Sequence, residues 1–215
     1  MNGLLAASTD SQSGYSLAQL DARINTEFRA MTFLRREFPM LTDGRVSDVG
    51  LAIHSLGLNY LAAFGRELGC PAVTEFPLVS EDSVPLGRQP DFTGLEVRPD
   101  VVWFNRQSRA PVLLAEFERY DEVPAKRRLI LEKAENLVLA HHLSPGQERI
   151  LLLALWTFTG ARVSGLAEIS THVRSGFRRS GSTPINGLSG DVRFLVATFL
   201  FARHGPSLTL KEIQV

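Results

Sequence analysis

Apolar side chains recur every three or four residues in two N-terminal stretches, which is the spacing of an amphipathic helix. The first stretch follows a capping box formed by Ser16 and Gln19, and it ends before a proline. The second stretch carries Glu67 on its apolar stripe and is followed by a glycine suited to a C-cap. We therefore predict helices over residues 16–38 and about 46–68.

Three stretches rich in Val, Leu, Trp and Phe follow, and they are typical of β-strands: 71–79, 98–104 and 112–118. The short polar segment 105–111 separates the last two of them. A connection of this length joins neighbouring antiparallel strands, so these two strands are predicted to form a hairpin.

Helical and strand patterns alternate in the rest of the chain. A helix is predicted from near Pro124 to about 144, followed by the continuous apolar run 150–156. Such a run is typical of a parallel strand that is buried on both faces and reached by a crossover helix. A helix over 166–173 and a strand over 192–201 follow. This order predicts an α/β protein with a mixed central sheet and helices on both sides.

The domain organisation follows from length and composition. A chain of 215 residues can bury one core without dividing into two domains. Residues 1–14 are small and polar and are predicted to form a tail, 15–45 an N-terminal helix and linker, and 46–215 a single α/β domain.

Charge and cysteine content exclude several classes of protein. Lys and Arg number 23, as do Asp and Glu, so net charge does not indicate a nucleic-acid partner and only local clusters can do so. The single cysteine, Cys70, excludes an internal disulfide framework and favours a reducing compartment, so we expect a cytoplasmic protein. No segment has the ~20 apolar residues of a membrane span, so no membrane partner is expected.

Three carboxylates interrupt the apolar hairpin strands. Glu116 and Glu118 lie two residues apart and therefore point to the same face of their strand, while Asp100 starts the strand beside them. An acid among apolar side chains is costly unless it is paired or bound to a metal. Because three converging acids repel one another, a divalent cation is the simplest way to hold them together.

The acids and their context resemble the PD-(D/E)xK nuclease superfamily, whose core is a helix, three antiparallel strands, a helix and a parallel strand. The resemblance covers about 46–157 and is carried by Pro99-Asp100 and Glu116-Phe117-Glu118. It implies a restriction-endonuclease-like αβββαβ core with an N-terminal helical extension. It also implies that Mg²⁺ or Mn²⁺ is bound by Asp100, Glu116 and the backbone carbonyl of Phe117, with Glu67 completing the ligands.

The chain departs from that family at Glu118, where the family usually has a catalytic lysine. Lys133, or less favourably Lys126, lies on the next predicted helix and can replace it, and Glu118 with Lys133 is the expected substitute pair. The function implied is a metal-dependent endonuclease acting on DNA, with RNA as an alternative. The missing strand lysine also leaves open a catalytically inactive subunit of the same fold that binds nucleic acid or assembles a complex. A third alternative is an enzyme acting on another phosphate-bearing substrate.

Each candidate also has a purely structural interpretation. Asp100 can be an ordinary acid at a strand start, Glu118 a solvated strand end and Glu67 an acid at a helix C-terminus. Lys133 can extend past an apolar face to reach solvent. For Glu116, which is surrounded by apolar neighbours, pairing or metal binding is the usual explanation.

Two kinds of partner are expected. The helix 16–38 can dock its apolar face on a partner protein or on a second copy of the chain. Local basic clusters can flank a phosphate backbone, although a solvated surface loop explains the last of them equally well. The residues of these clusters are Arg106 and Arg109 in the hairpin turn, Lys126 and Arg127 at a helix start, and Arg178 and Arg179 in a late loop.

Overall fold

The computed structural model describes residues 15–47, 50–79, 96–144, 149–161, 163–179 and 184–215. The tail predicted over 1–14 lies outside these residues. The helices are α1 (Leu17–Ala30), α2 (Thr32–Glu37), α3 (Gly50–Glu67), α4 (Pro124–Leu143) and α5 (Leu166–Ser175), with a 3-10 turn at Pro39–Leu41. None of these helices has the length and apolar content needed to cross a membrane.

The strands of the described residues form one large sheet and one small one. In chain order they are β1 (Val46–Ser47), β2 (Ala72–Thr74), β3 (Leu78–Val79), β4 (Glu96–Val97), β5 (Val101–Phe104), β6 (Pro111–Arg119), β7 (Arg149–Phe158), β8 (Val192–His204) and β9 (Ser207–Gln214). The large sheet has the order β1-β9-β8-β7-β6-β5-β2, and β3 pairs with β4. Because β6, β7 and β8 are parallel and the other neighbours are antiparallel, the sheet is mixed, and the α/β prediction is confirmed.

Several predicted element boundaries were wrong. The helix predicted over 16–38 is divided at Met31, which adopts a left-handed conformation with φ of 51°. The buried Glu27 carboxylate accepts a hydrogen bond from the Leu34 backbone, 3.0 Å away, and this bond supports the new helix start. The strand predicted over 71–79 is interrupted at Glu75, whose φ is also 51°. Residues 46–47 form an edge strand on β9 instead of a helix start.

Helices cover both faces of the sheet. The side chains of Leu113, Ala115 and Phe117 on β6 join the apolar cluster beneath α1, α2 and α3. Leu114, which points to the opposite face of the sheet, joins the cluster beneath α4 and α5. Since Glu116 alternates with Phe117, its side chain points to the α4 face. The strand β7 contributes to both clusters, as its continuous apolar run predicts.

The N-terminal helices belong to the main core of the chain. Leu20, Ile24 and Phe28 of α1 are buried, and the Phe28 ring lies 5.7 Å from the ring of Phe199 on β8. The apolar face of this helix is therefore occupied by its own sheet. The expectation that this face docks on a partner is wrong, because the chain itself already covers it.

Two glycines let α3 lie close to the hairpin strands. A Cβ atom at Gly57 would stand 2.4 Å from the Phe117 ring, and one at Gly65 would stand 2.6 Å from the Trp103 indole. The Trp103 indole N–H also donates to the Leu61 carbonyl, 3.1 Å away. The helix thus holds the two aromatic side chains of β5 and β6 in place, and with them the strand that carries Glu116.

Replacing Gly57 by alanine tests this close approach. We expect the Gly57→Ala protein to be less stable, because overpacking costs about 1–3 kcal/mol and alanine gains only about 1 kcal/mol in helix propensity. The measurement is the free energy of unfolding in denaturant. Gly190→Ala is the control, since a Cβ there meets open space. A Gly57→Ala protein more stable than wild type would contradict the packing described.

Candidate functional site

Antiparallel pairing brings two acids together at one end of the hairpin. Val101 pairs with Ala115, so Asp100, which precedes β5, lies beside Glu116 on β6. The Asp100 Oδ2 atom accepts a hydrogen bond from the Phe117 backbone N–H, 2.7 Å away. Asp100 is 7% exposed and Glu116 is 0% exposed. The structure thus places two carboxylates in a largely buried position at the open end of the hairpin.

A lysine from α4 neutralises this pair. Lys133 Nζ lies 2.7 Å from Glu116 Oε2 and 3.8 Å from Asp100 Oδ1. Its helix packs on the sheet through Ile130, Ala134 and Leu137, which are all buried. The lysine stem lies among these apolar residues, and the only favourable position for its charge is beside the acids.

Glu118 is set apart from this cluster. Its Oε1 atom lies 3.4 Å from Lys126 Nζ and accepts a hydrogen bond from the Arg119 backbone N–H, 2.9 Å away. The two lysines of α4 pair with different glutamates of β6, Lys126 with Glu118 and Lys133 with Glu116, and the functional pairing of Glu118 with Lys133 stays a prediction. The direct ion pairs of Lys133 are made with Asp100 and Glu116.

Burial and neighbouring charges shift the pKa values of Glu116 and Lys133. Burial, and then the neighbouring Asp100 carboxylate, raise the pKa of Glu116 to about 8, although Lys133 opposes the shift. Burial alone would lower the pKa of Lys133, but the carboxylates of Glu116 and Asp100 outweigh it and raise that pKa. The lysine therefore stays charged, and Glu116 readily holds a proton when no further cation is near.

One atom of the site lacks a partner. Glu116 Oε1 is buried, and no donor among the described residues reaches it. A buried carboxylate oxygen without a donor is costly, and a divalent cation is a suitable partner for it. However, no group of three or more His, Cys, Asp or Glu side chains in the described ranges stands close enough to hold a metal. Any cation there would use Asp100, Glu116, the Phe117 carbonyl and solvent.

Glu67 does not join the acids. Its Oε1 atom lies 2.9 Å from Arg36 Nη2, and both side chains are about half exposed. It borders a cavity with Cys70 and Asn105, beside the hairpin turn. The acids lie at the opposite end of the hairpin, so the prediction that Glu67 completes the ligand set was wrong. Its place on the apolar stripe predicted an inward side chain, but Glu67 is about half exposed, and it is the N-terminal half of the helix, at Gly57, that approaches Phe117.

The expected basic contacts are scattered. Arg106 donates to the Gly69 carbonyl, 3.3 Å away, and Arg109 adopts a φ of 59° in the hairpin turn. Both lie in the turn beyond Pro111, which is already about 17 Å along the strand from Glu116, given a rise of about 3.4 Å per residue. Arg179 binds the Glu135 carboxylate at 3.0 Å and so fastens its loop to α4, while Arg178 is exposed. Of the six basic residues predicted to contact nucleic acid, only Lys126 and Arg127 lie at the end of the hairpin that carries the acids.

Tyr120 lines a cavity between α4, α5 and the end of β6, which the sequence did not predict. Tyr120 follows β6 on the same face as Glu116 and Glu118, and its hydroxyl lies 3.1 Å from Ser164 Oγ and accepts from the Ser164 N–H. Burial alone would raise the pKa of Tyr120, but the hydrogen bonds with Ser164 and the nearby Arg127 charge lower it. The two-residue alternation of β6 already placed Tyr120 on this face, and was the available signal.

Comparisons of the chain with models of protein families, with curated proteins and with solved structures find no match. The chemistry of the site is therefore inferred from its own geometry.

The coupling between Lys133 and Glu116 can be measured in a double-mutant cycle. With Lys133→Met and Glu116→Gln, we expect a coupling energy of about 1–3 kcal/mol, because both groups are largely buried. The matched cycle uses Lys126→Met and Glu118→Gln, whose side chains are more exposed, and should give less than about 1 kcal/mol. Denaturant unfolding of the wild type and the six variants supplies the seven free energies. Equal coupling energies in the two cycles would refute the claim that the Lys133–Glu116 pair is the stronger, more buried one.

Proposed function

We propose that this protein is a metal-dependent nuclease that hydrolyses phosphodiester bonds of DNA, with RNA as a possible substrate. The observation that carries the proposal is the convergence of Asp100, Glu116 and Lys133 at the ends of two strands. Two carboxylates and an ammonium at one point can bind a divalent cation and a phosphate together.

The order of elements supports the proposal. Apart from the small sheet of β3 and β4, which comes between β2 and β5, the chain order is helix α3, strands β2, β5 and β6, helix α4 and strand β7. These four strands lie in the order β7-β6-β5-β2 in the large sheet. The pairings β2–β5 and β5–β6 are antiparallel, whereas β6–β7 is parallel. These pairings support the proposal, because the PD-(D/E)xK resemblance implies two antiparallel pairings followed by a parallel one.

Each residue of the site has a separate role in the proposed reaction. Asp100 and Glu116 would hold Mg²⁺ or Mn²⁺, which when bound supplies charge stabilisation to the phosphate and favours deprotonation of the attacking water. Lys133 keeps its ammonium charge beside Glu116 and can stabilise the negative charge that develops on the phosphate. Glu118 and Lys126 form a second ion pair nearby, and they are suited to orienting water or phosphate rather than to first contact with the cation.

A second candidate is a catalytically inactive member of the same fold that binds nucleic acid or assembles a complex. Two observations favour it: Glu118 occupies the strand position where the family has its lysine, and the described residues offer no cluster of three metal-ligating side chains. In this case the Lys133 ammonium takes the place of the cation, and the acidic cluster is structural.

Cleavage of a panel of single- and double-stranded DNA and RNA distinguishes the two candidates. With Mg²⁺ or Mn²⁺ we expect cutting that EDTA abolishes and that Glu116→Gln and Lys133→Met each reduce by about 10²-fold or more. Glu67→Gln is the matched control, because its carboxylate lies away from the acids, and it should cut like wild type. Cutting that survives Glu116→Gln, or no cutting by a folded wild-type protein, would refute the nuclease proposal.

A further inference from the structure

A cavity of about 480 Å³ opens between α4, α5 and the end of β6. Its volume lies in the range of small-ligand sites, about 300–1,000 Å³. Apolar walls are formed by Ile130, Leu131 and Ile169, and polar groups are supplied by Tyr120, Arg127, Ser164, Glu168 and His172. Small-ligand sites commonly combine apolar walls with polar groups that fix the ligand's orientation.

The cavity lies on the same face as the acids and next to them. Glu116, Glu118 and Tyr120 follow one another at two-residue steps on β6, so Tyr120 is about 13 Å from Glu116 along the strand. The Tyr120 backbone N–H donates to the Trp156 carbonyl, 2.9 Å away, which continues the strand ladder to this point. On α4, Ile130 lies one turn from Lys126 and one turn from Lys133. Strand β6 and helix α4 therefore contribute residues to both the acidic site and the cavity.

The polar wall of the cavity is held in place by its own contacts. The Tyr120 hydroxyl is bound to Ser164, as described above, and Gly165 turns the chain into α5 with a φ of 82°. The His172 ring lies against the Phe177 ring at 5.2 Å, nearly parallel, and its Nε2 is 2.9 Å from a Glu135 oxygen. A fixed wall of this kind can bind a ligand without a large ordering cost.

We infer that this cavity is a nucleoside subsite, which receives a base of the nucleic-acid strand whose phosphate lies at Asp100 and Glu116. The inference rests on the proposed function. Apolar walls suit the faces of a base, while Glu168 and Ser164 can pair with its edge. The exposed Arg127 at the rim suits a flanking phosphate. A nucleic-acid strand carries charged phosphates next to flat bases, which matches a charged site next to a cavity with apolar walls.

Binding of single nucleotides to the full chain, in EDTA and without cleavage, tests the subsite. The probes are 2′-deoxyadenosine and thymidine 5′-monophosphates, followed by two-dimensional NMR, with 2-deoxyribose 5-phosphate and inorganic phosphate as controls. We expect saturable shifts at Tyr120, Ser164 and Glu168 with at least one nucleotide and none with either control. No saturable shift with either nucleotide, or equal shifts with the controls, would overturn the inference.

Two tryptophan variants locate the site. Glu168 is exposed and lines the cavity, so Glu168→Trp should fill it without unfolding the protein and should abolish nucleotide binding. Ala167→Trp changes the neighbouring exposed position outside the lining, and should bind like wild type. Unchanged melting temperatures establish that both variants fold. Wild-type nucleotide affinity in Glu168→Trp would refute this location.

The outcome separates the subsite from the nuclease proposal. Glu67→Gln should bind nucleotides like wild type, because that carboxylate lies outside the cavity lining and is paired with Arg36. Nucleotide binding without any cleavage would leave the subsite standing and refute catalysis. Cleavage that is unaffected by Glu168→Trp, in a protein that binds no nucleotide, would refute the subsite alone.

Discussion

The burial of Glu116 in the central sheet is the constraint on which the site depends. A carboxylate with no exposed surface cannot stand alone, and Lys133 reaches it across the sheet face from α4. This contact fixes where α4 crosses the sheet and places a permanent positive charge beside Asp100. The same burial leaves Glu116 Oε1 without a donor and raises the pKa of the group to about 8. A cation that binds there must displace a proton.

Much of the fold was predictable because its signals are local. Two apolar segments joined by a short polar turn identified the hairpin, and the unbroken apolar run of β7 identified a strand buried on both faces. The two-residue spacing of β6 placed Glu116 on one face, and antiparallel pairing then brought Asp100 beside it. The sequence singled out Lys133 on the next helix as a site residue, and the structure places its ammonium 2.7 Å from Glu116.

What sequence reasoning missed depends on long-range packing. The break at Met31 relies on the buried Glu27 carboxylate, which caps the next helix, and no local pattern announces it. The position of Glu67 depends on which half of α3 lies over the acids, and this is set by the contact of Gly57 with Phe117. The Tyr120 cavity forms only where α4, α5 and β6 meet, so its lining comes from distant parts of the chain.

The most direct test of the account is whether the acidic pair binds a divalent cation. Mn²⁺ titrated into the full chain and followed by electron paramagnetic resonance should occupy one site in the wild-type protein. Glu116→Gln should lose that site, whereas Glu67→Gln, altered at the other end of the hairpin, should keep it. The absence of Mn²⁺ binding by the folded wild-type protein, or equal binding by Glu116→Gln, would show that Asp100, Glu116 and Lys133 form a structural ion cluster and not a metal centre.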